Sequence, residues 1–358
     1  MIIYKKIVQI ALLKVILGTL FLLNASSSSW LQNSDMTTLY EALVKISSNS
    51  IYAKTLSPNK LLKHYIYSFD EYGEYFTKKE YQAFQNTLFV DYAGVGMLLY
   101  QQKRGDKILC IPFSTSLKRG GIERYDELIS VNAKKVKGKN FYLVSSWIRG
   151  KKNTSVRLKI KKPSGKFKTL TIRRKKHFFQ SVKRTIHHHI PMIEIVRFIK
   201  ETPNELNKII QKWPRSIPLV IDLRGNGGGD LFSAIQSADI FLTKNRLITS
   251  IETNTKTLHY YAITSNSIKN KKIILLQDKF TASASEVFIS ALTQNHRATS
   301  IGEKSLGKGV AQKFMPLGNG DALLLTYGKI ITPNKKNYHK KGLLPTSTLS
   351  LKNLLKER

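Results

Sequence analysis

The tightest constraint in this sequence is the run Ile217-Pro-Leu-Val-Ile-Asp222-Leu-Arg-Gly225-Asn-Gly227-Gly228-Gly229. An apolar strand ends in four glycines within five residues, and helical spacing resumes at Leu231, Ile235, Ala238 and Ile240. Strand, glycine turn and helix in that order form a unit of an α/β protein. The glycines let successive backbone amides face an anion. A nucleotide loop would continue into Gly-Lys-Ser/Thr, and none follows here. Taken alone, the run reads equally well as a plain strand-to-helix turn.

The segment from Lys279 to Gln312 carries chemistry of its own. Ser283 opens Ser-x-x-Glu with Glu286, ahead of Val287, Phe288, Ile289, Ala291 and Leu292. That is a capping-box signature, so one reading makes Ser283 only a helix cap. The same position also suits a nucleophile, because first-turn amides such as that of Ala284 stabilise an oxyanion. Ser285 is the rival nucleophile. Downstream, Lys308 stands between Gly307 and Gly309, which allow close backbone approach. A lysine activates a serine only when neutral, and burial or nearby positive charge favours the neutral amine. The following VAQKFMPL reads as a strand that puts Lys308 and Gln312 on one face, where Gln312 accepts from the amine.

Composition sets the outer bounds. At 358 residues and 42% hydrophobic, the chain is long and apolar enough for two or three cored domains. Its formal charge of +36 is spread as short lysine pairs, which read as solvated surface, with an anionic partner or membrane surface as the alternative. Cys110 is the lone cysteine, so no intrachain disulfide forms. Residues 1–29 show a basic start, an apolar run from Ile7 to Leu23 and a small-residue end. A cleaved signal or an uncleaved anchor is expected there, with the body exported, periplasmic or facing outward from the inner membrane. Residues 30–88 read as helical. Asp70 and Glu71 read as turn or cap residues rather than catalytic acids. His187-His188-His189 lack metal-ligand spacing. The stretch from 183 alternates strand (190–199), helix capped by Thr202 or Asn204, strand (217–223), a hairpin over 247–265 and a strand feeding Ser283. No recognition helix, zinc finger or RNA-binding signature is present, so no nucleic-acid partner is expected.

These segments together resemble the carboxy-terminal processing (tail-specific) proteases, serine peptidases with a Ser/Lys/Gln set. The matching pieces are LVIDLRGNGGG, TASASEVFISAL, IGEKSLGKGVAQ and LTYGKIITPNKKNYHKKGLLP, and Lys308 follows Ser283 by 25 residues as in that family. Ser68-Phe69-Asp70 resembles the family's segment before its PDZ domain. Ala93-Gly94-Val95-Gly96-Met97-Leu98 and IRGKKNTSVRLKI resemble PDZ pieces, with Tyr125-Asp126 where the family has Gly-Asp.

The resemblance implies a mixed α/β (α+β) protein. It would have a crotonase-like layered catalytic core over 183–358, a PDZ-like β domain over 89–182 and an N-terminal helical segment. It makes Ser283 the nucleophile, Lys308 the base and Gln312 its orienting partner. The oxyanion donors would be Ala284 and Gly228 or Gly229. Gly94, Val95, Gly96 and Met97 would take a peptide carboxylate, by strand addition to a sheet edge. Flexible protein C-terminal tails would be the substrate, with no metal or nucleotide cofactor. A homo-oligomer or an adaptor is open, as is an inactive relative that binds tails without cutting.

Overall fold

In a computed structural model of the chain, residues 33–50, 57–86, 93–101 and 107–356 are described, apart from 140, 178, 215, 265–267 and 269–270. The leader expected over residues 1–29 lies outside these. Among the described residues no helix is long and apolar enough to cross a membrane. The chain divides between Leu61 and Leu62. The first unit holds helix α1 (Asn33–Asn49) and the start of α2 (Pro58–Phe69). All else belongs to the second.

The helical reading of 30–88 needs one correction. After α2 comes a strand, β1 (Glu74–Phe76), and then α3 (Lys78–Asn86). Three residues carry too little local preference to be read as a strand. β1 exists because Glu74, Tyr75 and Phe76 pair antiparallel with residues about 250 positions later. Phe76 packs there against Phe84 and Phe314, ring to ring.

The smaller β domain contains β2 (Met97–Tyr100), β3 (Leu109–Pro112), α4 (Thr115–Arg119), β4 (Glu127–Val131), β5 (Lys134–Lys135), α5 (Phe141–Ile148), β6 (Ser155–Lys161) and β7 (Phe167–Arg173). Its sheet runs β2-β3-β4-β6-β7, with β5 beside β4, so β2 is an edge strand. In β6, Val156, Leu158 and Ile160 point inward and their neighbours outward, the period-two pattern of a sheet with one wet face. Cys110 is fully buried in this core.

The larger domain adds β8 (Val182–His187), β9 (Ile190–Ile195), α6 (Thr202–Gln211), β10 (Leu219–Asp222), α7 (Leu231–Asp239), β11 (Leu247–Thr253), β12 (Thr257–Tyr261), β13 (Ile273–Gln277), α8 (Ala284–Gln294), β14 (Thr299–Gly302), β15 (Val310–Pro316), β16 (Ala322–Ile331) and α9 (Leu351–Lys356). One sheet runs β14-β13-β10-β9-β8 and is parallel except for the β8–β9 hairpin. The other, β1-β16-β11-β12 with β15 on β16, is antiparallel. The parallel strands are buried on both faces. Leu219, Ile221, Ile273 and Leu275 face α7, α8 and the main core, while Val220, Ile274 and Leu276 face Leu354 of α9. This is the mixed α/β, layered architecture expected from the sequence.

Two local details differ from expectation. Helix α6 begins at Thr202, and neither Thr202 nor Asn204 caps it. The Thr202 hydroxyl accepts from the Ile199 amide instead, at 2.9 Å, tying the chain just before the helix. The histidine run forms the β8–β9 turn, with His188 and His189 exposed in the left-handed region.

Phe288, fully buried between Phe198 and Phe241, is the ring on which α8 seats. Phe288→Ala is expected to lower unfolding free energy by about 3–5 kcal/mol, read from urea denaturation.

Candidate active site

Ser283 stands between β13 and α8 with φ 57° and ψ −120°. A β-substituted residue pays about 1–3 kcal/mol to sit there, and such sharp strand-to-helix turns present a side chain outward. Two side chains, Asp278 and Asn226, impose the turn. Asp278 Oδ1 accepts from the amides of Gly225, Phe280 and Thr281 at 2.9–3.0 Å, fastening the glycine run to the loop before Ser283. Asn226, fully buried, donates to Ile195 O at 2.8 Å, and its backbone carbonyl accepts from Ala282 N and from the Ser285 hydroxyl. The rival nucleophile Ser285 is therefore buried and spends its proton on the backbone.

Opposite lies Lys308. Its Nζ donates to Gln312 Oε1 at 2.8 Å and sits 4.8 Å from the Tyr72 ring centre. Gln312 Nε2 donates to Tyr72 O at 2.9 Å, which fixes which end of the amide faces the lysine. Asp70 sets this arrangement one step back. It accepts from Tyr72 N, Thr326 N and the Thr326 hydroxyl at 2.7–3.0 Å, and Thr326 is the β16 residue directly opposite Gln312. Lys308 and Gln312 do not lie on one regular strand: β15 starts at Val310 and bulges between Ala311 and Gln312. Burial lowers the Lys308 amine from 10.5 to about 8; Arg197 pushes the same way, while Asp70 and Glu286 oppose it.

One carboxylate joins the two halves. Glu286 Oε2 accepts from Ser283 N at 2.7 Å and Lys308 N at 2.9 Å; Oε1 accepts from the Ser305 hydroxyl at 2.6 Å and Gly307 N at 2.7 Å. Burial raises its pKa and the four donors oppose that. All four partners donate, so the ionised form satisfies them.

The glycine turn closes the site. A side chain on Gly228 would lie 2.8 Å from Ser283 Cβ and 2.9 Å from Ala284 N, so backbone meets backbone there. The Gly228 amide donates to Asn226 Oδ1 at 3.0 Å. Gly229 bridges Phe198 in parallel fashion through its neighbours' groups, which aims its own amide away from Phe198. Gly228, Gly229, Ser283, Ala284, Lys308 and Gln312 thus line one cleft of about 300 Å³, together with Leu98, Tyr100 and Tyr142 of the β domain.

Gly94, Val95, Gly96 and Met97 lie apart, at the head of β2. Gly94 is a ladder residue, exchanging amide and carbonyl with Lys175 at 2.9–3.0 Å. Tyr125 takes the left-handed conformation a glycine would favour, at φ 73°. Its ring stacks on Phe280 with centroids 4.0 Å apart, and Arg124 bonds Glu194 and Arg224 O of the larger domain. Sequence reasoning gave Asp70 and Glu286 only local capping roles. Glu286 does cap α8 and Asp70 does hold a turn, and both also reach partners far along the chain. Tyr72 and Arg197 went unnoticed; the tyrosine beside Asp70 was the available signal.

Residues 189–349 match peptidase family S41. The chain is 33% identical over 285 residues to a "Probable CtpA-like serine protease" of Staphylococcus saprophyticus, covering 77% of this chain and 57% of that one. It is 33% identical over 313 residues to a protein of the same name from Staphylococcus aureus, covering 84% and 62%. It therefore spans less than two thirds of those relatives. A solved structure, "Photosystem II D1 C-terminal processing protease", superposes with a TM-score of 0.69 at 22% identity over 90% of this chain and 87% of that one. The family S41 match thus lies within the larger domain, and the chain shares the fold of that C-terminal processing protease.

Two outcomes follow from the buried charges. The native Lys308 amine titrates near 8 and the unfolded one near 10.5. The folded state thus binds fewer protons between those values, and stability rises with pH across that window. Below it the full penalty stands, roughly 3 kcal/mol at 1.36 kcal/mol per unit. Lys308→Met is expected to be more stable than wild type at pH 7, with the gain shrinking from pH 8 to 10.5 in urea titrations. Glu286→Gln offers an NH₂ group where an oxygen accepts two donors, and should cost at least about 3 kcal/mol, read from the same titrations.

Proposed function

We propose that this chain is a serine endopeptidase in which Ser283 attacks a peptide carbonyl and Lys308 is the general base. The observation that carries this reading is a lysine amine, desolvated and held by Gln312, lining the same cleft as a strained serine at a helix N-terminus. The neutral amine takes the Ser283 proton as Oγ bonds to the carbonyl carbon. Negative charge then develops on the carbonyl oxygen, to which the amides of Ala284 and Gly229 donate. Gly228 contributes by its lack of a side chain, since its amide is engaged by Asn226. Lys308 returns the proton to the leaving amine as the C–N bond breaks, leaving an acyl-enzyme on Ser283. Water, deprotonated by the same lysine, releases the acyl group.

The β domain is read as a PDZ domain that captures C-terminal tails. Among the described residues β2 pairs only with β3, which leaves an edge on which a peptide strand can add, and Val95, Gly96 and Met97 at its head supply amides for a terminal carboxylate. Leu98 and Tyr100 of the same strand line the cleft with Ser283, so a tail added to β2 leads toward the nucleophile. The basic start and apolar run of residues 1–23 support an exported enzyme.

Cleavage of a disordered protein ending in an apolar tail tests the assignment. Ser283→Ala and Lys308→Ala are each expected to abolish it, while Ser285→Ala cuts. The wild-type rate should rise with pH through about 8, the pH at which Lys308 becomes neutral. Full activity in Ser283→Ala would remove Ser283 from the mechanism.

A further inference from the structure

Arg197 belongs to the catalytic cleft and has no part in the chemistry just described. It lies just past β9, where the next residue, Phe198, donates its amide to Gly228 O at 3.0 Å and accepts from Asp230 N at 2.9 Å. The Arg197 carbonyl accepts from the Thr202 hydroxyl at 3.3 Å. The backbone of Arg197 is therefore pinned to the turn beside Ser283, and its side chain lines the cleft half-buried.

Three other arginines among the described residues are satisfied where they leave water. Arg174 donates to the carbonyls of Ile148, Trp147 and Ser155, Arg297 to those of Phe241, Lys271 and Ile268, and Arg124 pairs with Glu194. Among the described residues, no carboxylate or carbonyl pairs with the Arg197 guanidinium. Asp230 shares the cleft, but its Oδ1 caps α7 through Ser233 N at 2.7 Å. Two of the neighbouring charges are positive, since the Arg197 cation pushes down the amine of Lys308 and the guanidinium of Arg149. A half-buried cation facing other cations is costly unless something supplies the opposite charge. A guanidinium fork matches a carboxylate with two parallel hydrogen bonds.

We propose that Arg197 is a carboxylate-binding subsite of the catalytic cleft, selecting peptides that carry an anionic group beside the bond to be cut. This rests on the peptidase reading of the cleft. The carboxylate has two sources: the terminal α-carboxylate of a short tail, or an aspartate or glutamate side chain flanking the cut. Binding it would also cancel the field that Arg197 exerts on Lys308. An anionic peptide should therefore be cut with a more alkaline midpoint than its neutral counterpart.

The test uses the full chain and four labelled peptides of one sequence, crossing a free with an amidated C-terminus and glutamate with glutamine at the flanking positions. In wild type, one of the two carboxylates should raise kcat/KM about tenfold, the effect of one charge-assisted contact, and should raise the pH midpoint of kcat. The pair that responds identifies the source. In Arg197→Gln the ratio should fall to about one and the midpoints coincide, while Arg197→Lys keeps part of the ratio. No preference in wild type, or a preference that survives in Arg197→Gln, overturns the proposal. If wild type cuts none of the four, the peptidase reading fails. Binding of the same peptides, followed by fluorescence anisotropy, then decides on Arg197 by the same ratios.

Discussion

The buried carboxylate of Glu286 is the interaction on which the site depends. It holds the backbone of Ser283 on one oxygen together with that of Lys308, and the loop before Lys308 on the other. The candidate nucleophile and the candidate base come from different elements, α8 and the approach to β15. Without a shared anchor their separation would follow every small shift of a strand against a helix. A carboxylate with four donors is rigid because each bond restricts the same group, and in a low-dielectric interior each is strengthened. The strained conformation of Ser283 persists for the same reason: its amide is held by Glu286 while Asp278 and Asn226 fix the loop before it.

The second requirement is an amine that gives up its proton near neutrality in a chain with 59 basic side chains. Surface lysines do not provide this, because water and salt screen them from one another. Burial dominates at Lys308, with Arg197 adding to it. Asp70 and Glu286 pull the other way, which keeps the amine from falling so far that it would be a weak base. The folded protein is less stable for carrying this group, and the parallel sheet with both faces buried supplies the rigidity that tolerates it.

The β domain is fastened to the larger one through Arg124 and Tyr125. Tyr125 adopts a left-handed backbone conformation that a glycine would favour, at a cost of about 1–2 kcal/mol. Its stacking on Phe280 and the Arg124–Glu194 pair offset that cost. Tyr125 thus holds the turn and adds a contact between domains. Phe280 lies three residues before Ser283, so this contact reaches the loop that presents the serine.

Local pattern determined a great deal here. Apolar runs ending in turns located β10 and β13, alternation located β6, and Ser-x-x-Glu located the start of α8. Two flanking glycines pointed to Lys308. These features depend on neighbours within a few residues, so periodicity records them. Tertiary structure decided the rest. β1 is a strand only because β16 offers it a ladder, Gly228 rather than a larger residue is needed because Ser283 packs on it, and Glu286 and Asp70 become anchors through partners 22 and 256 residues away. A capping glutamate and an anchoring one have the same sequence signature. Which of them a chain contains depends on what the fold brings to the other oxygen, and that is fixed by packing across the whole domain.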